Sequence, residues 1–247
     1  MDVVDLREFY ASRLGNSTKK LIANRLKPKC EGLAGATVLG LGYAVPYLDD
    51  LANGAASSLA LMLARQGVIH WPENGQVRSS LVDETDLPLL ESVADLALVV
   101  HGLELSPAPA EMLREVWRVL APQGRLLLVV PNRRGLWARF DSSPFGHGQP
   151  FSRPQLAALL RDCEFSIVSW SYALYLPPSG RSLVLSSAGA IEATASRLMP
   201  ALSGVLIVEA VKQVYAVASG KRIRRLSPGL RPALIPSPSG RSTGIAG

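Results

Sequence analysis

An α/β fold, with a mostly parallel sheet and helices on both faces, follows from three observations on this 247-residue chain. Short apolar runs alternate with segments of helical spacing, the pattern of strand–helix–strand units. One strand, Arg125 to Asn132 (RLLLVVPN), has a continuous apolar run between its ends, as a strand buried on both faces must have. The composition is 48% hydrophobic but only 6% aromatic, which suits a core of Leu, Val and Ala. The length is sufficient to bury such a core.

The elements can be placed in order. Asp2 to Leu26 has helical spacing, with Leu6, Phe9, Tyr10 and Leu14 on one side. Gly15-Asn16-Ser17 is expected to break it, with Ser17 capping a second helix. Thr37 to Gly42 (TVLGLG) is a short strand ending in glycine, and Pro46 to Asn53 is a helix opened by proline. Ser57 to Gln66, Val77 to Asp83 and Ala94 to Glu104 are the next strands. Pro107 to Leu120 is an amphipathic helix with Met112, Leu113, Val116, Trp117 and Leu120 inward. Pro122-Gln123-Gly124 turns the chain into the strand ending at Asn132. Ser152 is placed to cap a helix over Arg153 to Asp162. Strands around Phe165 to Leu176 and Gly204 to Ala216 flank a helix-like segment, Ala188 to Leu198.

Charge and motifs exclude several functions. The net charge of +6 lies in the tail: Lys221, Arg222, Arg224, Arg225, Arg231 and Arg241 face no acid there, leaving 20 cations against 20 acids. A tail without aromatics does not support base stacking, so no specific nucleic acid is expected. The segment 220–247, rich in Ser, Pro, Gly and Arg, reads as a disordered basic tail. Cys30 and Cys163 have no CxxC spacing, the three histidines are scattered, and no metal site is expected. No apolar run reaches the roughly 18 residues of a membrane span, and no signal segment is expected at the start of the chain. A cytoplasmic setting is therefore expected. There is neither a GxSxG elbow nor a P-loop, and Gly42-Tyr43-Ala44 does not continue a G-x-G-x-x-G dinucleotide loop.

Four segments between about Ala36 and Phe165 carry a resemblance. They are TVLGLGYAVPYL (Thr37 to Leu48), DETDLPL (Asp83 to Leu89), ADLALVVHGLE (Ala94 to Glu104) and EMLREVWRVLAPQGRLLLVVPN (Glu111 to Asn132). In this order they resemble the class I S-adenosylmethionine-dependent methyltransferases, in particular the group with a compact small-molecule methyltransferase domain. The resemblance implies a Rossmann-like, seven-stranded, mostly parallel sheet with an antiparallel last strand. It divides the chain into an N-terminal helical lid (1–35), a methyltransferase-like α/β domain (36–219) and the tail (220–247).

The resemblance also implies S-adenosylmethionine as cofactor, over the loops that follow the strands. Gly40, Gly42, Tyr43 and Ala44 stand in the first loop, Asp83 and Glu84 at the adenine-side acid, and His101 at the end of the fourth strand. The family loop reads acid-x-G-x-G-x-G; here the acid is Gly40, and only Gly42 of the three glycines is kept, Ala44 and Pro46 replacing the others. The acid that would receive the ribose hydroxyls is also missing, since no Asp or Glu lies between Asp50 and Glu73. Asp83 has a second reading, as the cap of a short helix near Leu87.

His101 is the candidate base, since an imidazole titrates near working pH; it also reads as a residue that only lines the pocket. Glu104 is a lesser candidate, with a surface acid as the other reading. His147 lies in the loop SSPFGHGQPFS, which the resemblance turns toward substrate. Phe9 and Tyr10 belong to the helix that closes as a lid, or to the core. Trp137, Phe140, Phe145 and Phe151 are expected either to face the acceptor or to pack. The expected reaction is in-line methyl transfer to a small-molecule or protein acceptor, in which positioning carries most of the rate. The alternative is an inactive methyltransferase-fold protein that binds or assembles with a partner.

Overall fold

The computed structural model describes residues 1–178, 192 and 202–213, all within one unit, Met1–Val214. Seven strands form one sheet: β1 (Thr37–Gly42), β2 (Ser57–Leu63), β3 (Ser79–Val82), β4 (Ala94–Val100), β5 (Leu120–Pro131), β6 (Phe165–Ala173) and β7 (Val205–Lys212). Their order is β3-β2-β1-β4-β5-β7-β6. The pairs from β3 through β5 are parallel. β7 runs antiparallel to both β5 and β6, so it alone opposes the rest. The expected sheet, with its antiparallel last strand, is the sheet observed.

The central strands are apolar along most of their length because each face meets a different layer. Leu96, Leu98, Val100, Leu127 and Val129 pack with α1 (Val3–Ala11), α2 (Arg13–Leu26) and α3 (Val45–Leu51). Their neighbours Ala97, Val99, Leu126, Leu128 and Val130 pack with α4 (Pro109–Val119) and α5 (Arg153–Asp162). Alternating side chains on two buried faces produce a continuous run.

Several boundaries differ from the sequence expectation. The N-terminal helices part at Ser12, not at Gly15 to Ser17. The Ser12 hydroxyl caps α2 by accepting from the Gly15 amide at 3.0 Å. Gly15 lies within α2, at a close approach where a Cβ would stand 1.9 Å from the Phe9 carbonyl oxygen. The second strand stops at Leu63, which leaves Gln66 in the turn beyond it. The fourth stops at Val100 because His101 adopts φ +49, a left-handed conformation that ends a ladder. No helix starts near Leu87. The Asp83 carboxylate instead closes its own turn, accepting from the Thr85 amide at 2.9 Å and hydroxyl at 2.7 Å.

Ser152 caps α5 as expected, in a reciprocal capping box with Gln155. Ser152→Ala is expected to lower stability by about 1 kcal/mol in urea denaturation. The segment Ala188 to Leu198, apart from Glu192, and the tail 220–247 lie outside the described residues. Among the described residues no helix is long and apolar enough to cross a membrane.

Candidate functional site

Strand order reverses between β1 and β4: the chain leaves β1 toward β2 on one side and β4 toward β5 on the other. In open α/β sheets the crevice for a ligand lies beyond the carboxyl ends at such a point. Here those ends are Gly42 and Val100, and they are in direct contact. The Tyr43 amide donates to the Val100 carbonyl at 2.7 Å. Gly42, at φ +77, lets this happen: a Cβ would stand 2.4 Å from that carbonyl oxygen and 3.0 Å from that of His101.

The expected first-loop residues serve packing around this contact. A Cβ on Gly40 would meet Leu48 Cδ1 at 2.7 Å and the Ala44 Cβ at 2.9 Å, so α3 takes the space a family carboxylate would need. Ala44 is buried at the start of α3. Tyr43 is buried with its ring stacked on Tyr10 at 5.8 Å, and burial pushes its phenol up to about 12. Asp83 is exposed, and its bonds from Thr85 hold its carboxyl below the ordinary value. Glu84 is turned inward, 2.5 Å from an Arg65 guanidinium nitrogen and 3.2 Å from the Ser106 hydroxyl. It thus ties together the segments that follow β2, β3 and β4.

His101 gathers the remaining polar groups into a line of donors and acceptors. Its Nε2 lies 2.9 Å from the Tyr10 hydroxyl, which exchanges a second bond of 3.0 Å with the Tyr47 hydroxyl. Its Nδ1 stands 3.4 Å from Glu104 Oε1. Its carbonyl accepts from the Gln66 amide Nε2 at 2.6 Å. Phe145 lies against the imidazole, with ring centroids 4.7 Å apart. His101 is 1% exposed, Glu104 2% and Gln66 3%. Burial raises Tyr10 well above the usual phenol value, with Tyr47, Tyr43 and the Glu104 charge adding to it.

Two side chains in this cluster hold acceptors that lack donors. Gln66 Oε1 and both carboxylate oxygens of Glu104 are buried with no hydrogen-bond partner among the described residues. A buried carboxylate without hydrogen bonds is costly, and native structures keep such groups mainly where they serve a purpose.

Sequence reasoning placed Tyr10, Tyr43 and His101 near this point but missed Gln66 and Tyr47, and ranked Glu104 low. A ribose acid at the end of β2 would be a carboxylate, whereas the buried acceptor just past that strand is an amide. Glu104 reads as a surface acid until the 3-10 turn Leu103–Leu105 folds it inward. Of the aromatic residues, Trp137 and Phe145 are buried packing partners at 5.6 Å, while Phe140 is 45% exposed. His147 places its Nε2 3.0 Å from the Asp141 carbonyl oxygen. A separate cavity of about 360 Å³ lies at the end of β5, lined in part by Asn132, Arg134, Arg153 and Tyr172.

Comparison with known proteins gives this geometry its context. A family described as a methyltransferase domain matches residues 39–128. No curated protein matches the sequence. Among solved structures, the chain is similar to the methyltransferase of a Haloferax volcanii complex with the Trm112 methyltransferase activator. The two are 16% identical with a TM-score of 0.57, over 78% of this chain and 89% of that one. An Archaeoglobus fulgidus S-adenosylmethionine-dependent methyltransferase is 18% identical with a TM-score of 0.56, over 78% and 94%. The [4+2]-cyclase SpnF is 21% identical with a TM-score of 0.52, over 78% and 80%. At these identities the likeness is one of fold.

Proposed function

We propose that this chain, whose residues 39–128 match a methyltransferase domain, is a class I S-adenosylmethionine-dependent methyltransferase and transfers a methyl group from S-adenosylmethionine to an acceptor at the ends of β1 and β4. The observation that carries the proposal is a set of buried acceptors with no donors among the described residues, Gln66 Oε1 and the Glu104 carboxylate. They fit the cofactor's chemistry. S-adenosylmethionine carries an ammonium group and two ribose hydroxyls, and this chain lacks the two family acids that would receive them. Gln66, just beyond β2, takes the ribose role; Glu104, just beyond β4, takes the ammonium. Gly42 keeps the first loop bare of a side chain where it crosses β4. Asp83, exposed beyond β3, is assigned the adenine side, while Glu84 holds the rim.

The cofactor supplies an activated methyl group, so the protein's task is to orient the reactants and exclude water. Tyr10 of α1 lies over the cluster and shuts it. The proposal therefore makes the N-terminal helices, residues 1–35, a lid that lifts to admit the ligands. His101 receives the acceptor's proton, and the Glu104 charge stabilises the imidazolium. A protein partner enters the proposal through the Haloferax volcanii neighbour, which is solved with an activator.

Titration calorimetry with S-adenosylmethionine and S-adenosylhomocysteine tests this reading. Micromolar binding is expected, weakened roughly tenfold by Gln66→Leu as one hydrogen bond of about 1.4 kcal/mol is lost. Asp83→Ala is expected to weaken it as well. No binding up to millimolar cofactor would overturn the proposal.

A further inference from the structure

We propose that the methyl acceptor is an aryl hydroxyl, a phenol, and that the Tyr10 side chain marks its seat. This deepens the cofactor reading above and rests on it. Both ring nitrogens of His101 face a partner: Glu104 at Nδ1 and the Tyr10 hydroxyl at Nε2. A proton can therefore reach His101 only from Tyr10 or from an oxygen that takes its place. The slot that holds Tyr10 is shaped for a phenol. Its ring stacks on Tyr43 at 28° and meets Tyr47 and His101 edge-on at 6.0 and 5.8 Å. Its hydroxyl finds Nε2 at 2.9 Å and the Tyr47 hydroxyl at 3.0 Å. Aromatic walls with a base and a hydroxyl at the end match an aryl hydroxyl in shape and hydrogen bonding, whereas an aliphatic amine lacks the ring that these walls enclose.

Tyr10 does not belong to the segments that wall the slot, which are the loops after β1 and β4 and the helix α3. It comes from α1, which buries only Val3, Leu6 and Tyr10. An acceptor enters as α1 withdraws, and its hydroxyl replaces that of Tyr10. The aryl O–H bond then breaks and its proton passes to His101 Nε2, while the oxygen bonds to the methyl carbon. The S–CH3 bond breaks with its electron pair left on sulfur, giving S-adenosylhomocysteine and an aryl methyl ether. His101 afterwards loses the proton to water.

The full chain, labelled with 15N-histidine and saturated with S-adenosylhomocysteine, provides the test. It has three histidines, so His101→Gln identifies the relevant imidazole signals by NMR. p-Cresol is expected to shift the His101 Nε2 signal, whereas toluene leaves it in place and p-toluidine, a weaker donor, shifts it less. Tyr10→Ala is expected to tighten p-cresol binding about tenfold while toluene binds more weakly than p-cresol. Equal binding of toluene and p-cresol, or a silent His101 with p-cresol in the wild-type chain, would overturn the phenol assignment. Failure of S-adenosylhomocysteine to bind would overturn the cofactor reading instead, and calorimetry establishes that point first. The wild-type measurement decides the matter even where Tyr10→Ala does not fold.

Discussion

Replacing Glu104 with glutamine is expected to make the protein more resistant to urea and a poorer binder of S-adenosylhomocysteine. The two effects have one cause. Glu104 is 2% exposed, and neither carboxylate oxygen has a hydrogen bond among the described residues. Among the described residues, His101 Nδ1 at 3.4 Å is the one ion-pair partner of this charge. Burying a charge without hydrogen bonds costs more than burying an amide of the same shape, so the neutral variant is expected to gain about 1 kcal/mol. In the proposed complex the cofactor's ammonium group pairs with this charge. Losing a hydrogen bond to a charged group costs about 1.5–3 kcal/mol, which corresponds to roughly a 10- to 100-fold loss of affinity. Urea denaturation and calorimetry on the same preparation separate the outcomes. A variant less stable than the wild type with unchanged affinity would make Glu104 a structural prop of His101, and the proposed cofactor contact would be lost.

Gly42→Ala is expected to be the most damaging single methyl group in the chain's first loop. Two costs add at this position. The residue sits at φ +77, where an L side chain is strained by about 1–3 kcal/mol. The new Cβ would also press on the Val100 carbonyl oxygen at 2.4 Å, a backbone atom that cannot move without breaking the β1–β4 pairing. A loss of about 3 kcal/mol or more is expected in urea denaturation. Gly32 is the control: it too has a positive φ, but an added Cβ there would meet nothing within 4 Å. Gly32→Ala therefore carries the conformational cost alone. Equal losses at both positions would show that close approach at the crossing contributes nothing.

Much of this architecture was legible in the residues because it rests on local rules. The run of apolar residues from Leu126 to Val130 has to be buried on both faces, and in an α/β protein that places it in the middle of a sheet. Ser152 with Gln155 three residues on is a local capping signal, and α5 begins where that signal says. The break between α1 and α2 was misplaced for a tertiary reason. Gly15 serves the close passage of α2 past the Phe9 carbonyl, and the chain breaks at Ser12, whose hydroxyl is the better cap.

The candidate site divides in the same way. The residue pattern alone established the class of fold, the strand ends where a ligand would lie, and the presence of His101 at one of them. It also determined what was missing, a carboxylate at Gly40 and an acid after β2. Which polar groups gather at those strand ends follows from the folding of distant segments onto one another. Gln66 and Glu104 converge on His101 from segments that follow different strands, and Tyr10 reaches it from 91 residues away. Hydrophobic periodicity fixes which face of an element is buried, because it depends on neighbours in the chain. Whether a buried acceptor finds a donor depends on every segment folded around it, and no local pattern in the sequence records that.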